Sequence, residues 1–332
     1  MSRYYAIKIT DPDSGEMIKP FGFEALDSTY TSFYNGKTLS NAWRVVIDVY
    51  ITTFATPAGG SYVRVYGISL REISQANDLA GKNIQVFAGM QKGLPLANPA
   101  QAKMIFSGVI FQAFGNWIGT DMTLDLIVNP GIGDPTQPPQ NVIHNWKKGT
   151  LLKDAINTTL MQAFQGYTAD IQISDKLKFT QDDTGAYQSI VEFAQYIRSR
   201  SKDIIGGDNY NGVEITLTDK VFRVFDASTE AEPIMIDFKD LIGQPTWIES
   251  PTISTKMVMR GDITVGDFIK LPPGLVTTTG AARPSQINLS TAFQGSFLVK
   301  AIRHVGDSRQ PDAASWCSIF EAIPTQQQST NG

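Results

Sequence analysis

The strongest constraint on the fold is a hydrophobic period of two residues, seen most clearly in residues 43–53. Apolar side chains occupy every second position from Val45 to Ile51, and polar side chains such as Arg44 and Asp48 stand between them. Successive side chains of a strand point to opposite sides, so this alternation is typical of a β-strand with one buried face. The chain is therefore expected to build much of its core from strands.

The same reasoning applied along the chain predicts a protein dominated by strands and tight turns. The predicted strands are residues 43–53, 62–68, 83–88, 103–114, 122–128, 171–173, 177–180, 213–217, 221–226, 253–259, 263–271, 297–305 and 315–323. Glycine, proline and polar residues between successive strands predict turns at residues 57–60, 218–220 and 260–262.

Helical spacing is confined to a few segments. Ser69 and Glu72 fit a capping box, in which the two side chains satisfy free amide groups at a helix start. Apolar residues recur at helical spacing over residues 151–164, where Thr150 can cap the first turn, and again over residues 187–199. A region of mixed helices and strands thus separates two β-rich regions.

Proline and glycine are concentrated in residues 129–140, which makes this segment the best domain boundary. We predict a first β-barrel or sandwich domain over residues 1–130, then a linker and inserted α+β domain over residues 131–240. A second β-barrel or sandwich domain follows over residues 241–325, and residues 326–332 form a disordered tail. The expected fold class is mainly β with an α+β insert.

The charge pattern bears on possible partners. Charged residues make up 18% of the chain, the net charge is −4, and the longest basic cluster is Lys147-Lys148. A surface that binds nucleic acid normally shows a basic stripe, so this composition argues against retention of DNA. Low charge content in a chain rich in glycine is also expected when much of the surface is covered by neighbouring subunits.

Cys317 is the single cysteine, so no disulfide can form within the chain. The chain contains no run of about 18 apolar residues, which is the length that a membrane-spanning helix needs. The N-terminal residues lack the apolar core of a signal peptide, so we expect synthesis and folding in a cytoplasm.

A search for catalytic or metal-binding residues gives no convincing constellation. The chain has two histidines, His144 and His304, too few with one cysteine for a zinc site. His304 falls in a strand pattern, and we interpret it as a strand-surface or interface residue rather than a general base. Asp11 to Gly15 resembles the start of a calcium loop, but the later ligands of that motif are missing. A plain turn is the better interpretation of these residues.

Four further motifs have structural explanations. Asp182-Asp183 is interpreted not as a catalytic pair of carboxylates but as a capping segment, because Asp183 or Thr184 lies near the start of the next predicted helix. Gly131 to Gly133 lacks the context of a dinucleotide site and is assigned to the linker. Arg260-Gly261-Asp262 is assigned to a hairpin turn, and Cys317 is expected to behave as a small buried hydrophobic residue. We therefore predict a non-enzymatic protein with no catalytic, cofactor-binding or metal-binding residues and no cofactor.

Three stretches resemble the baseplate hub proteins of contractile bacteriophage tails. The stretches are Ser107–Phe111 with Asp121–Val128, Leu241–Pro245 with Met259–Asp267, and Phe297–Asp307 with Ala314–Ala322. They are similar to the strand pair that closes the first barrel of the hub, the entry to its second barrel and its last hairpin. Together they place the likeness over residues 40–325.

The resemblance implies two tail-tube-like barrels around a mixed middle domain and no catalytic residues to transfer. In this family, three subunits form a homotrimeric ring with a central channel and pseudo-sixfold symmetry. The ring joins the hexameric tail tube to the trimeric central spike during tail assembly and genome ejection. The implied partners are further copies of the chain, the tail tube protein, the spike protein, other baseplate proteins and the tape measure protein. The ring would contact DNA only as the genome passes through the channel, and the chain would not insert into a membrane. Its location would be the tail of the virion.

Two other classes of function remain open from the sequence. A receptor- or carbohydrate-binding tail module would expose aromatic side chains on loops, whereas the five tryptophans stand mostly in or beside predicted strands. A tail-associated cell-wall hydrolase would need a poised acid or nucleophile, and the residues show none.

Overall fold

The computed structural model describes residues 3–20, 22–56, 60–90, 98–130, 140–206, 210–228, 231–249, 251–273, 293 and 295–325. The chain divides into two compact units. Unit 1 comprises Met1–Ile51, Gly59–Asp134 and Pro233–Gly332, and unit 2 comprises Thr52–Ala58 and Pro135–Glu232. The predicted linker at 131–139, the turn at 57–59 and the tail at 326–332 lie outside the described residues.

Strands dominate the structure, as the period of two predicts. In chain order they are β1 (Arg3–Thr10), β2 (Tyr30–Thr31), β3 (Phe33–Tyr34), β4 (Lys37–Thr38), β5 (Arg44–Thr52), β6 (Ser61–Tyr66), β7 (Asn83–Met90), β8 (Lys103–Ile118), β9 (Asp121–Asn129), β10 (Val142–Trp146), β11 (Thr168–Gln172), β12 (Asp183–Tyr187), β13 (Glu214–Thr218), β14 (Val221–Phe225), β15 (Ile234–Met235), β16 (Thr246–Glu249), β17 (Thr252–Val258), β18 (Phe268–Lys270), β19 (Ser296–Asp307) and β20 (Trp316–Pro324). The α-helices are α1 (Leu70–Ser74), α2 (Leu152–Ala163) and α3 (Ile190–Ile205). The mainly β fold class is confirmed.

One large sheet runs through unit 1. Its strand order is β16-β17-β20-β19-β5-β6-β9-β8-β7-β1-β2, and β18 joins β19 while β15 joins β18. The N-terminal and C-terminal β regions are neighbours in this sheet where β5 meets β19. There the Ser308 amide donates to the Val45 carbonyl at 2.9 Å, and Arg303 pairs with Asp48 at 2.6 Å. The assignment of residues 1–130 and 241–325 to two separate barrels stays a prediction.

Among the described strands, the sheet is bent by register shifts at four positions. They lie between Val86 and Phe87, between Ile110 and Gln112, between Trp247 and Glu249, and between Val299 and Ala301. A bulge places two residues opposite one and increases the local twist of the strand. These shifts allow a long antiparallel sheet to curve around an apolar core.

The main hydrophobic cluster of unit 1 is built from the N-terminal β region, with Met259 and Trp316 added from the C-terminal region. Inward positions of β5, such as Val45 and Ile47, have no exposed surface and belong to the same cluster as Met259 and Trp316. The Trp316 indole donates to the Gly89 carbonyl at 2.9 Å, which joins β20 to β7 through a buried hydrogen bond. The first and last thirds of the chain are therefore joined by buried contacts within unit 1.

Unit 2 contains α2, α3 and two small sheets. One sheet pairs β10 with β12, and the other has the order β11-β14-β13 with β11 and β14 parallel. The predicted hairpin around residues 218–220 is confirmed as β13 and β14. Asp219 and Lys220 have positive φ angles of 47° and 65°, the conformation that a tight hairpin turn requires.

Several local predictions for unit 2 are wrong. Tyr187 ends β12, and α3 begins only after its N-cap residue, Ser189. The N-cap of α2 is Leu151, without a side-chain hydrogen bond, so Thr150 does not cap that helix. Residues 177–180 form only an isolated bridge at Lys178 rather than a strand.

The predicted hairpin of residues 253–259 and 263–271 is also wrong. β17 pairs with β16 and β20, whereas β18 pairs with β15 and β19. The capping box at α1 is confirmed, with Ser69 and Glu72 each accepting from the other's backbone amide. No helix in the described part of the chain is apolar and long enough to cross a bilayer.

Candidate functional site: two exposed apolar patches

The first candidate surface lies along β8. Four large side chains of this strand are exposed, and we term them the β8 patch: Phe111 (47%), Phe114 (41%), Trp117 (65%) and Ile118 (75%). Trp117 and Ile118 are consecutive residues of the strand, so their side chains point to opposite faces of the sheet. Exposed apolar side chains grouped on one strand mark a surface that is covered by a partner more often than singly scattered ones do.

Local packing explains which positions near the end of this strand are covered. Ala113 points into the core, whereas Gly115 lies so close to α1 that a Cβ atom there would stand 2.7 Å from the Ile73 Cα atom. At the turn after β8, the Trp117 indole donates to the Gly119 carbonyl at 2.9 Å. α1 therefore packs against the strand at Gly115, and the Trp117 indole near the end of the strand is fixed by its hydrogen bond.

The second candidate surface is the open edge of the sheet at β16. Within the described residues, this strand pairs only with β17, and all four of its side chains are exposed. Trp247 and Ile248, exposed by 45% and 55%, define the edge patch. The Trp247 ring stacks on Phe293 with ring centroids 5.6 Å apart.

The two ends of the large sheet differ. β2, at the end opposite β16, consists of two buried residues. An exposed strand edge with apolar side chains can pair with another chain unless it is covered. The edge patch is thus one end of the sheet that is open to such a contact. Among the described residues β15 is another, since it pairs only with β18 and its Met235 is 62% exposed.

His304 is buried in unit 1, so the predicted strand-surface position is wrong. Its exposure is 1%, and its Nδ1 atom lies 2.8 Å from the Ser318 hydroxyl. Burial lowers the pKa of His304 from 6.5 to about 3, because the charged imidazolium would lose its hydration. The side chain is therefore neutral near pH 7 and has no access to a substrate in solvent.

His144 belongs to a buried cluster that the sequence does not reveal. Its Nε2 atom lies 3.1 Å from Asp183, which also accepts from the Tyr196 hydroxyl at 2.5 Å and from Arg200 at 3.0 Å. The imidazole stacks on Trp146 at a centroid distance of 3.7 Å, and its side chain has no exposed surface. Among the described residues, the Nδ1 atom of His144 has no hydrogen-bond partner.

The predicted capping role of Asp183 is therefore wrong. Burial alone would raise the pKa of this carboxyl, but hydrogen bonds from Tyr196 and His144 and the charge of Arg200 lower it overall. Asp182 instead accepts from the Lys148 amide at 2.8 Å and pairs with Lys147 at 3.0 Å. The His144–Asp183 arrangement resembles a catalytic dyad in distance only, since its enclosure keeps substrates away.

Arg260 is also buried, so its assignment to an exposed hairpin turn is wrong. It is 3% exposed and pairs with Asp240 at 3.0 Å and with Asp262 at 2.8 Å. Gln101 donates to the same Asp240 carboxylate at 2.8 Å. These contacts join the segment just before β8 to the C-terminal part of unit 1. The cluster around Arg260 therefore has a structural role.

Two further local predictions, for Asp11 and for Cys317, agree with the structure. The Asp11 side chain accepts from the amides of Asp13 and Ser14 at 3.0 Å, which confirms the plain turn. Cys317 is 1% exposed, and burial raises the pKa of its thiol. Within the described part of the chain, no three His, Cys, Asp or Glu residues are grouped as metal ligands.

When this chain is compared with known proteins, the matches are to solved structures only. No family model and no curated protein matches the chain. The 43 kDa tail protein of prophage MuSo2 from Shewanella oneidensis superposes with a TM-score of 0.52 and 9% identity, over 98% of this chain and 100% of that protein. At this identity the superposition shows a shared fold.

Two further structures have lower scores. The c3393 protein of E. coli is a component of the type VI secretion system with structural similarity to T4 bacteriophage tail proteins. It has a TM-score of 0.49 and 11% identity over 87% of this chain and 76% of its own. A tail protein from Neisseria meningitidis MC58 has a TM-score of 0.45 and 11% identity over 96% of both chains. The chain has the fold of a phage tail protein, and the resemblance predicted from the sequence is confirmed at that level.

Proposed function

We propose that this chain is a non-enzymatic structural component of a phage tail. The observation that carries the proposal is the fold shared with a phage tail protein over the full length of both chains. The two exposed apolar patches support it, because a structural component acts through contacts with neighbouring subunits. The proposed location is the tail of the virion, after synthesis in the host cytoplasm.

Within the tail, we assign the chain to the baseplate hub. Three copies would form a ring with a central channel that joins the hexameric tail tube to the trimeric central spike during tail assembly and genome ejection. Other baseplate proteins and the tape measure protein are the further partners. A closed ring would cover the edge and the apolar side chains that an isolated subunit exposes.

Charge pairing supports a channel through which DNA passes without being held. Arg303 pairs with Asp48, and Arg44 pairs with Asp307 at 2.6 Å. Arg64 pairs with the carboxylate of Asp125. These arginines stand on three strands of the sheet that are adjacent in space, β19, β5 and β6, yet each is matched by an aspartate. They form no unmatched basic stripe that would retain phosphates.

The proposal assigns no reaction to the chain. The three side chains most often used as bases or nucleophiles, those of His144, His304 and Cys317, are buried. A cell-wall hydrolase that used histidine or cysteine would need such a group at the surface of a cleft, whereas one that cleaved glycans would use a pair of carboxylates. Release of soluble fragments from purified peptidoglycan, lost when a single Asp or Glu is replaced, would contradict this part of the proposal.

A carbohydrate- or receptor-binding module is the second candidate, and one observation favours it. Trp117 and Trp247 are exposed by 65% and 45%, and exposed indoles are suited to stacking on sugar rings. Binding of the wild-type chain to host cell-wall glycans, lost in both Trp117→Ser and Trp247→Ser, would favour this function over the hub.

The hub assignment is tested by the mass of the native assembly. Native mass spectrometry and light scattering should give three times the chain mass of 36.4 kDa, alone or with the tube and spike proteins. The assembly should survive moderate salt, because apolar contacts are screened little by ions. A chain that remains monomeric in every mixture, or that forms a hexamer, would show that the hub assignment is wrong.

A further inference from the structure

The dipeptide Asn-Gly occurs at two places within the described residues, and its surroundings differ between them. The two pairs are Asn35–Gly36 in unit 1 and Asn211–Gly212 in unit 2. An asparagine side chain before glycine is open to attack by the next backbone amide, because glycine has no Cβ atom to hinder the approach. We propose that Asn35 is a site of spontaneous deamidation through a succinimide, and that Asn211 is protected from the same reaction.

The reaction is a hydrolysis whose only co-reactant is water. Base removes the proton of the Gly36 amide, whose nitrogen attacks the Cγ atom of Asn35. The new N–Cγ bond closes a five-membered ring, the Cγ–Nδ2 bond breaks, and ammonia leaves after its nitrogen takes a proton from water. Water then opens the ring at either carbonyl and gives aspartate or isoaspartate. No group is oxidised or reduced, and the chain exchanges an amide for a carboxylate.

Asn35 and Gly36 form the exposed two-residue turn between β3 and β4. Their φ angles are 49° and 77°, and a type I′ hairpin turn requires positive φ at both positions. Among the described strands, β3 and β4 pair only with each other, and each has two residues. A Cβ atom at Gly36 would meet no described atom within 4 Å. So small a hairpin is marginally stable, and the turn can open at little cost to bring the Asn35 side chain to the Gly36 amide.

The same dipeptide in unit 2 is held in place. Gly212 is buried, and a Cβ atom there would stand 2.6 Å from the Arg198 carbonyl oxygen in α3. The Arg198 Nε atom donates to the Asn211 carbonyl at 3.5 Å, and the Val213 amide donates to the Ser201 hydroxyl at 2.8 Å. The amide that would attack Asn211 therefore belongs to backbone that is fixed against α3 on both sides. Ring closure there requires local unfolding of this contact.

Deamidation at Asn35 would change both the charge and the turn. The net charge of −4 would become more negative by one unit. Isoaspartate adds one backbone atom to a two-residue loop, and loop length fixes the register of a hairpin. The pairing of Tyr34 with Lys37 should therefore be lost in that product. The large sheet of unit 1 includes neither β3 nor β4, so the unfolding temperature of unit 1 should stay nearly unchanged.

The test follows both asparagines in one sample of the full chain. The folded chain is incubated in a mildly alkaline buffer, and samples taken over time are digested at mildly acidic pH, which stops the reaction. Mass spectrometry of the peptides with electron-transfer fragmentation distinguishes asparagine, aspartate and isoaspartate at each site. The chain unfolded in urea gives the intrinsic rate of each dipeptide. Asn35→Gln is the matched control, since its longer side chain closes the corresponding ring far more slowly, and circular dichroism checks its fold.

In the folded chain, Asn35 should convert at least ~10-fold faster than Asn211, with isoaspartate among its products. In urea the two rates should be similar, and Asn35→Gln should leave its peptide unchanged over the same period. Equal rates at both sites in the folded chain would overturn the proposal, as would an Asn35 that stays intact while the unfolded chain converts. Aspartate formed without any isoaspartate would overturn the succinimide step.

Discussion

The burial of His304 makes the stability of unit 1 sensitive to acid. The pKa of this group is about 3 in the folded chain and 6.5 when it is freely hydrated. Between these values the unfolded chain binds a proton that the folded chain does not bind. Stability is therefore full above pH 6.5 and falls as the pH decreases toward 3.

The size of the effect follows from the two pKa values. Each pH unit below 6.5 costs up to ~1.4 kcal/mol of unfolding free energy, so this one group removes about 2 kcal/mol at pH 5. His304→Asn is the informative change. Its side-chain amide can still reach the Ser318 hydroxyl, which lies 2.8 Å from the Nδ1 atom of His304, but it does not titrate.

The assay is urea unfolding of both proteins at about pH 7.5 and about pH 5, followed by tryptophan fluorescence. Carboxylates are the same in both chains, so their contributions cancel in the difference. The asparagine variant should be less stable at the higher pH because it fills less of the core. Its disadvantage should shrink by about 2 kcal/mol at the lower pH. Parallel pH profiles for the two proteins would refute the reasoning.

Two further changes test the packing of unit 1. Arg260→Leu leaves the buried Asp240 carboxylate without its cation, so the unfolding free energy should fall by about 3–5 kcal/mol, and a fall below about 1 kcal/mol would contradict a buried ion pair. Gly261→Ala would place a Cβ atom 2.7 Å from the Met104 carbonyl oxygen and should cost about 1–3 kcal/mol in thermal unfolding. Its control, Gly60→Ala, meets no atom within 4 Å and should be nearly neutral.

Strands with one buried face could be predicted from the sequence because burial imposes the period of two directly. β5 follows this rule, with Val45, Ile47 and Val49 fully buried between half-exposed neighbours. β12 does not, since the five residues Asp183–Tyr187 include no run of alternating apolar side chains. Without β12, the contact between His144 and Asp183 could not be foreseen, because it depends on the pairing of β10 with β12.

Residues with the composition of a turn gave a wrong prediction where the flanking strands pair with distant parts of the chain. Arg260, Gly261 and Asp262 have the composition of a hairpin turn, yet the strands on either side pair with β20 and β19 instead of with each other. Arg260 is then drawn into the interior by Asp240, a partner twenty residues earlier in the chain. For His304, the bulge between Val299 and Ala301 sets which face of β19 is buried, and a one-residue shift exchanges the two faces.

The two exposed patches also could not be predicted from the sequence. Apolar residues at the end of a strand, such as Trp117 and Ile118, have the same pattern as core residues. Only the folded structure shows that both are exposed. The open edge at β16 likewise depends on the strand order of the whole sheet, which no local pattern encodes.

Electron microscopy of the assembled chain, imaged with the tube and spike proteins, tests the central claim most directly. We expect a ring of three copies around an open channel. A particle without a channel, or a ring with a different number of copies, would contradict the proposal that this chain is the hub of a phage tail.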